Sequence, residues 1–153
     1  MATPVYTSIL AALRTAIDGM TVVGGYNFGY DNVDRYKPST MTYPNVKIRF
    51  PLQTNRDAAG EVVNAYTCDS QVAFEVSIAS SSSSMDTDLD KVVEDFKRLM
   101  EANHPTLRTA GMIVADYLSE ERQYTHVRAR PAKVKIMFNL LYRVLKTNPA
   151  STT

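Results

Sequence analysis

Cys68, His104 and His126 are the residues of this chain that could act as a nucleophile and its base, because the sequence holds one cysteine and two histidines. A catalytic thiol needs a base within hydrogen-bond reach, and only the fold can bring the two together. No glycine-rich phosphate loop, nucleophile elbow or paired-carboxylate motif accompanies them. We therefore expect no enzyme activity and no cofactor, with a small enzyme built on a Cys–His pair as the alternative.

Three aspartates at alternate positions, Asp86, Asp88 and Asp90, follow the spacing of the first ligands in a calcium-binding loop. Such a loop also needs a glycine at its sixth position and a glutamate at its twelfth, where this chain has Lys91 and Lys97. Acidic residues at the start of a helix instead accept hydrogen bonds from free N–H groups and face the positive end of the helix dipole. We therefore assign the aspartates to a helix start and expect no bound metal.

A basic group towards the end of the chain comprises Arg128, Arg130, Lys133 and Lys135. In a β-hairpin, their alternation places these side chains largely on the face away from the core. There they could contact phosphates or an acidic protein surface. They could equally form a solvated face that keeps the sheet from pairing with other chains. The sequence leaves these alternatives open.

Charge is balanced over the whole chain but unevenly distributed along it. The formal net charge is +1, so there is no general bias towards nucleic acid or membranes. From Gln53 to Glu101 there are ten acids and four bases, whereas from Arg122 to Thr153 there are seven bases and no acids. An acidic middle and a basic end suit contacts between copies, although solvated strand faces give the same distribution.

Two helices are predicted from apolar residues at helical spacing, over residues 6–17 and 89–100. Thr3 and Pro4 favour the start of the first helix, because proline lacks only an N–H group that would be unpaired there. The second helix begins near the aspartates and ends at residues 103–105.

Strands are predicted where apolar and polar residues alternate. The strands predicted in this way cover residues 46–52, 72–78, 109–119 and 133–145. A brief additional strand is expected near Thr21–Val23 or Tyr26–Tyr30. Residues 123–130 are expected to pair with the last strand, with Pro131 near the bend.

Together these elements predict an α+β fold, with a mostly antiparallel sheet, two helices packed on one face and a long hairpin arm at residues 53–69. The serine run Ser80–Ser84 could divide two domains. The strand before it and the helix after it each have one apolar face, however, and are expected to cover each other. We therefore expect a single domain over residues 1–147, followed by a flexible tail at 148–153.

The chain is expected to be soluble and made in the cytoplasm. A single cysteine excludes an internal disulfide framework. The N-terminal segment lacks the basic leader of a signal peptide and carries Arg14 within its apolar region. No apolar run approaches the roughly 20 residues that span a bilayer, so no membrane contact is expected.

The order of these elements, in a chain of this length, resembles the tail terminator (tail completion) proteins of long-tailed bacteriophages. The resemblance covers most of the chain and is one of pattern and order, and the serine run departs from the commonest pattern. The segments that carry it are "YTSILAALRTAI", "NVKIRFPLQ" with the arm after it, "SQVAFEVSIASSSSSMDTDLDKVVEDFKRLM" and "VRARPAKVKIMFNLLYRV".

This resemblance implies a virion structural protein of the tail, assembled in the host cytoplasm. Proteins of that family form a ring, typically of six copies, on the last ring of tail-tube proteins. They stop tube polymerisation and join the tail to head-completion or neck proteins, and DNA passes through the lumen as cargo. The assembly interface is expected to include Arg56, Asp57, Glu61, Arg128, Arg130, Lys133 and Lys135. The alternatives are another head–tail connector or neck protein, or a small nucleic-acid-binding module.

Overall fold

The computed structural model of this chain describes residues 5–32, 44–55, 65–79, 84–124 and 132–145. Its elements are, in chain order, α1 (Val5–Asp18), β1 (Asp31–Asn32), β2 (Asn45–Asn55), β3 (Ala65–Ile78), α2 (Met85–Ala102), α3 (His104–Thr109), β4 (Met112–Gln123) and β5 (Ala132–Leu145). These elements confirm the predicted α+β fold.

The strands form one sheet with the order β1-β2-β3-β5-β4. β3 pairs antiparallel with β2 on one side and with β5 on the other, and β4 pairs antiparallel with β5. Among the described strands, β1 alone runs parallel to its neighbour, and it pairs with only the first two residues of β2. The sheet is therefore mostly antiparallel, as predicted, and β3 lies at its centre.

One face of the sheet is apolar, because side chains alternate between the two faces of a strand. β3 and β5 place the same kind of residue on this face: Val72, Phe74, Val76, Val134, Ile136 and Leu140 are all buried. Residues of α1 and α2 belong to the same hydrophobic cluster, among them Ile9, Leu13, Ile17, Leu89, Phe96 and Leu99. The ring of Phe74 packs against that of Phe96, with 4.9 Å between centroids. Both predicted helices therefore cover one face of the sheet and leave the other face open.

The structure differs from the predicted elements between the first helix and the second strand. Residues 21–25 form a turn, closed by a hydrogen bond from the N–H group of Tyr26 to the carbonyl oxygen of Thr21. Gly25 has a φ angle of +97°, a conformation that suits glycine and that a strand does not adopt. The strand expected near Thr21–Val23 or Tyr26–Tyr30 was wrong, and β1 begins only at Asp31.

The second helix ends as expected, but a third helix follows it. α2 ends at Ala102, and α3 begins at His104 with Pro105 in its first turn. Proline in a first helical turn starts a helix as readily as it ends the preceding one. The residues predicted to end α2 therefore also begin α3.

The strand predicted over residues 109–119 is β4, and it lies beside the last strand, β5, while residues 125–130 of the expected partner segment lie outside the described residues. β5 pairs with residues 112–123 of β4, and of the expected partner segment only Gln123 takes part among the described residues. The register of β4 shifts between Met112 and Val114 and again between Tyr117 and Ser119. Each such irregularity interrupts the alternation of apolar and polar residues, so the alternation alone does not fix which face each residue of β4 occupies.

Several predictions fall outside the described residues. They concern the outer part of the arm (56–64), four of the five serines (80–83), the segment 125–131, and residues 146–153, which include the predicted tail (148–153). The side chains of Tyr6, Phe50 and Leu52 are likewise outside this set. Within the described part of the chain, no helix combines the length and hydropathy that a membrane span requires.

A buried carboxylate joins α2 to the segment that precedes β1. Asp95 is completely buried on the apolar side of α2. It accepts hydrogen bonds from the backbone N–H groups of Asn27 (2.8 Å) and Phe28 (3.2 Å). The side-chain amide of Asn27 (3.0 Å) and the hydroxyl group of Tyr30 (2.8 Å) also donate to it. Because a buried charge is stable only when its hydrogen bonds are satisfied, this carboxylate fixes the segment on the helix.

Replacing Asp95 by alanine is expected to destabilise the fold strongly. The substitution leaves two partly buried backbone N–H groups and a buried hydroxyl group without their acceptor, and we expect a loss of about 3 kcal/mol in the free energy of unfolding. Urea denaturation measures it. The neighbouring control Glu94→Ala removes only an exposed pair with Arg98 and is expected to cost less than about 1 kcal/mol. Equal effects of the two substitutions would contradict this role of Asp95.

The hydroxyl group of Tyr30 gives the same contact a pH dependence. Burial and the hydrogen bond to Asp95 raise the pKa of Tyr30 far above its ordinary value of 10.0. The neutral form is therefore favoured in the folded chain, and its contribution to stability is complete below pH 10 and declines as the pH rises above it. We expect wild type to exceed Tyr30→Phe in stability by a constant amount between pH 7 and pH 9. Above pH 10 the difference should shrink by up to about 1.4 kcal/mol per pH unit, and a constant difference up to pH 11 would refute the assignment.

Candidate assembly surface

The face of the sheet opposite the helices, called the open face here, carries a row of alternating charges. Lys47 of β2 lies opposite Glu75 of β3, Glu75 lies opposite Lys135 of β5, and Lys135 lies opposite Glu121 of β4. Side chains directly opposite each other on one face of an antiparallel sheet have Cβ atoms about 5 Å apart. The charges across the open face therefore alternate in sign over four strands: positive, negative, positive, negative.

A second row lies beside the first and is largely uncharged. It runs from Asn45 through Ser77 and Lys133 to Gln123. The two rows line a shallow groove of about 800 Å³. Lys133 is the charged member of the second row, and its directly opposite neighbours, Ser77 and Gln123, are polar but neutral.

Glu75 has a further basic neighbour on the open face. The guanidinium Nε atom of Arg49 lies 2.7 Å from a carboxylate oxygen of Glu75, and both side chains are partly exposed. The acidic middle and the basic end of the sequence thus meet within one subunit. Lys135 lies between two acids of its own chain, so part of the charge asymmetry in the sequence is balanced inside the fold.

The end of β4 is bound to the start of α2 by a second polar cluster. A terminal nitrogen of Arg122 lies 2.6 Å from Asp90 and 3.3 Å from Glu120. Burial by itself lowers the pKa of Arg122, but the hydrogen bonds to Asp90 and Glu120 outweigh it and raise the pKa. The guanidinium group is therefore held in its charged form, and it fixes the C-terminal end of β4 against α2.

Tyr124 continues this cluster by a hydrogen bond to Asp86, which raises the pKa of the tyrosine hydroxyl group. Asp86 and Asp88 lie in the first turn of α2, as predicted for a helix start. The N-cap residue, Ser84, makes no side-chain capping bond, but its hydroxyl group donates to Asp88 at 3.2 Å. Within the described ranges, no group of three histidine, cysteine or acidic side chains is arranged to hold a metal ion.

The structure separates the predicted interface residues into two sets. Lys133 and Lys135 lie on the open face, where the alternation of β5 placed them. The others lie outside the described residues: Arg56, Asp57, Glu61, Arg128 and Arg130. The residues that sequence reasoning left out, Glu75 and Glu121, are the acids on either side of Lys135. Glu75 could have been found, because it occupies a polar position in the alternating pattern of β3.

The residues considered for catalysis lie in different surroundings. Cys68 is buried in β3, opposite Tyr142 of β5, within the hydrophobic cluster. His104 begins α3 and is partly exposed, and His126 lies outside the described residues. The structure thus gives each of the two described residues a place in the fold: a core position for the thiol and a helix start for the imidazole.

The two lysines of the open face are expected to respond differently to charge reversal. Lys135→Glu places three acids side by side, and we expect it to lower the free energy of unfolding by about 1 kcal/mol at low salt. Lys133→Glu, whose opposite neighbours are neutral, is the matched control and should change stability by less than half as much. Urea denaturation at low and high salt measures both effects, and screening should reduce the first. Equal, salt-independent effects would show that the charge row does not stabilise the sheet.

Neither comparison with known proteins identifies a relative. The chain matches no protein-family model, and no curated protein matches its sequence.

Proposed function

We propose that this protein is a virion structural protein, a tail terminator of a long-tailed bacteriophage. It forms a ring of identical copies on the end of the tail tube and stops polymerisation of the tube. It then offers a surface to a head-completion or neck protein, and DNA passes through the lumen as cargo. In this role the protein acts through its surfaces and carries out no chemical reaction.

The observation that carries the proposal is the one-sided α+β layer. Both long helices cover one face of the sheet, and the open face with its charge row is left for contacts. This layer has the element order on which the resemblance to tail terminators rests. A mixed-charge face suits protein contacts, because charges of both signs fix the register of an interface and exclude wrong partners.

The two edges of the sheet supply a second argument for assembly into a ring. β1 and β4 lie at opposite edges, so copies placed side by side bring different surfaces together. Contacts between different surfaces are heterologous, and they produce closed rings when the rotation between copies is right. β4 carries register irregularities and the charged residues Asp116, Glu120 and Glu121. These features oppose uncontrolled strand pairing at that edge.

The nucleic-acid-binding alternative receives less support from the described surface. Lys135, the last member of the basic group, lies between Glu75 and Glu121. Acidic neighbours repel phosphates, and a phosphate-binding surface needs several uncompensated cations. The proposal therefore treats DNA as cargo of the ring rather than as the ligand of the open face.

Light scattering coupled to size-exclusion chromatography tests the proposal. We expect the purified protein at micromolar concentration to form a ring-sized oligomer, visible as a ring in negative stain. When the tail-tube protein of the same genome is added, rings should cap tube ends and shorten the tubes. A protein that remains monomeric, and that leaves tube length unchanged, would contradict the function.

A salt titration of DNA binding provides the matching test of the alternative. A nucleic-acid-binding module should bind duplex DNA at low salt with an affinity that falls steeply as salt increases. We expect little or no binding to short duplexes at low salt. Strong, salt-sensitive binding that is lost in the double variant Lys133→Glu/Lys135→Glu would favour the alternative instead.

A further inference from the structure

Two adjacent valines project from the turn that follows α1. Val22 is 65% exposed and Val23 is 100% exposed. A single exposed apolar residue is ordinary, but two neighbouring ones at a chain reversal form a small apolar projection. Val22 and Val23 are called the valine tip below. Nothing within the described part of this subunit covers the tip.

The tip is held in one conformation by hydrogen bonds around it. The N–H group of Gly25 donates to the carbonyl oxygen of Val22 at 3.1 Å, and the N–H group of Gly24 donates to the hydroxyl oxygen of Thr21 at 3.0 Å. The guanidinium group of Arg98 on α2 also donates to the carbonyl oxygen of Gly25.

The residues that follow the tip are fixed in turn by the buried carboxylate of Asp95, through the N–H groups of Asn27 and Phe28. The tip is therefore attached to α2 at two points. Because an ordered projection loses little conformational entropy on binding, it is well suited to enter a partner's groove.

A groove of about 550 Å³ lies between α2, α3 and β4, and is called the α2–β4 groove. Its apolar lining includes Met100, Pro105, Ala115, Tyr117 and Phe138. The ring of Tyr117 is 40% exposed and meets Phe138 edge-on, with 5.8 Å between centroids. The groove thus offers partly exposed apolar surface. The valine tip has no such surface to pack against in the described part of its own subunit.

The tip and the groove cannot meet within one subunit. On α2, Asp95 and Arg98 face the tip, whereas Lys97 and Glu101 line the groove. At 100° per residue these pairs lie on opposite flanks of the core-facing stripe. The tip segment leads into β1 at one edge of the sheet, and the groove includes β4 at the other edge. Two copies placed side by side would bring one tip towards the next groove.

The charges beside the two surfaces are complementary. Asp18 is exposed at the end of α1, next to the tip, and no basic residue lies in the last turn of that helix. The negative end of the helix dipole adds to this charge. At the groove, the ammonium group of Lys97 lies 4.2 Å from the ring centroid of Tyr117. Asp18 beside the tip is thus matched by the opposite charge of Lys97 at the groove. Arg98, also beside the tip, is matched by Glu101 at the groove.

We propose that the valine tip of one copy inserts into the α2–β4 groove of the next copy and forms the lateral contact of the assembly. The inference rests on the proposed ring and names the surfaces that close it. Val22 and Val23 fill the apolar part of the groove, and Asp18 approaches Lys97 at its rim. The contact is heterologous, so each subunit gives one tip and receives one.

Charge insertion at the tip tests the contact without disturbing the fold. Val23→Asp alters a fully exposed side chain, so its unfolding midpoint should match that of wild type. Ala11→Asp adds the same charge on an exposed position of α1 and is the matched control. By light scattering, we expect Val23→Asp to raise the concentration needed for half-assembly at least tenfold, and Ala11→Asp to leave it within twofold. Unchanged assembly of Val23→Asp would overturn the inference.

A charge exchange tests the pairing of the two surfaces directly. Asp18→Lys and Lys97→Asp should each weaken assembly by threefold or more, because each places like charges together, and the double variant should recover most of the loss. No recovery, with both single variants folded, would refute the Asp18–Lys97 contact.

The failure of the inference is distinguishable from the failure of the function. If rings form and cap tubes while all these variants assemble normally, the tail terminator function stands and the tip–groove contact is wrong. If wild type neither assembles nor caps tubes, both are wrong.

Discussion

The buried carboxylate of Asp95 is the interaction on which much of this fold depends. The segment between α1 and β1 has little regular structure, so its backbone N–H groups need another acceptor. Asp95 supplies it from α2, with four hydrogen bonds from Asn27, Phe28 and Tyr30. This arrangement fixes the rotation of α2 about its axis. With Asp95 facing the tip segment, the opposite flank of the helix places Asp90 and Lys97 over β4.

The helices cover only one face of the sheet, which explains why the other face carries charged and polar residues. An open face must remain compatible with water, and one charged row and one mainly polar row across four strands achieve this. Because Lys47, Glu75, Lys135 and Glu121 lie side by side, their charges also stabilise the register of the strands. A face of this kind can serve an interface while contributing to the stability of the isolated subunit.

In the proposed ring the two kinds of surface have different roles. The valine tip and the α2–β4 groove lie towards opposite edges of the sheet, so they can act between neighbouring copies. The open face is then available to the tail tube or to a neck protein. A rigid tip, a preformed groove and a mixed-charge face all reduce the entropy that assembly must overcome.

The sequence by itself determined the fold class, the two long helices and the central strands, because their apolar residues repeat with the periods of a helix and a strand. It also placed Lys133 and Lys135 on the non-core face of β5. Only the tertiary structure decided which residues share the open face with them. Strand order is set by long-range pairing, which no local pattern records, and the register shifts of β4 change which of its residues share a face. The position of Asp95 among the apolar residues of α2 is visible in the sequence. Its hydrogen-bond partners are not, because they lie more than 60 residues away. The valine tip likewise looked like a short strand, since local propensity cannot foresee a turn held by a distant helix.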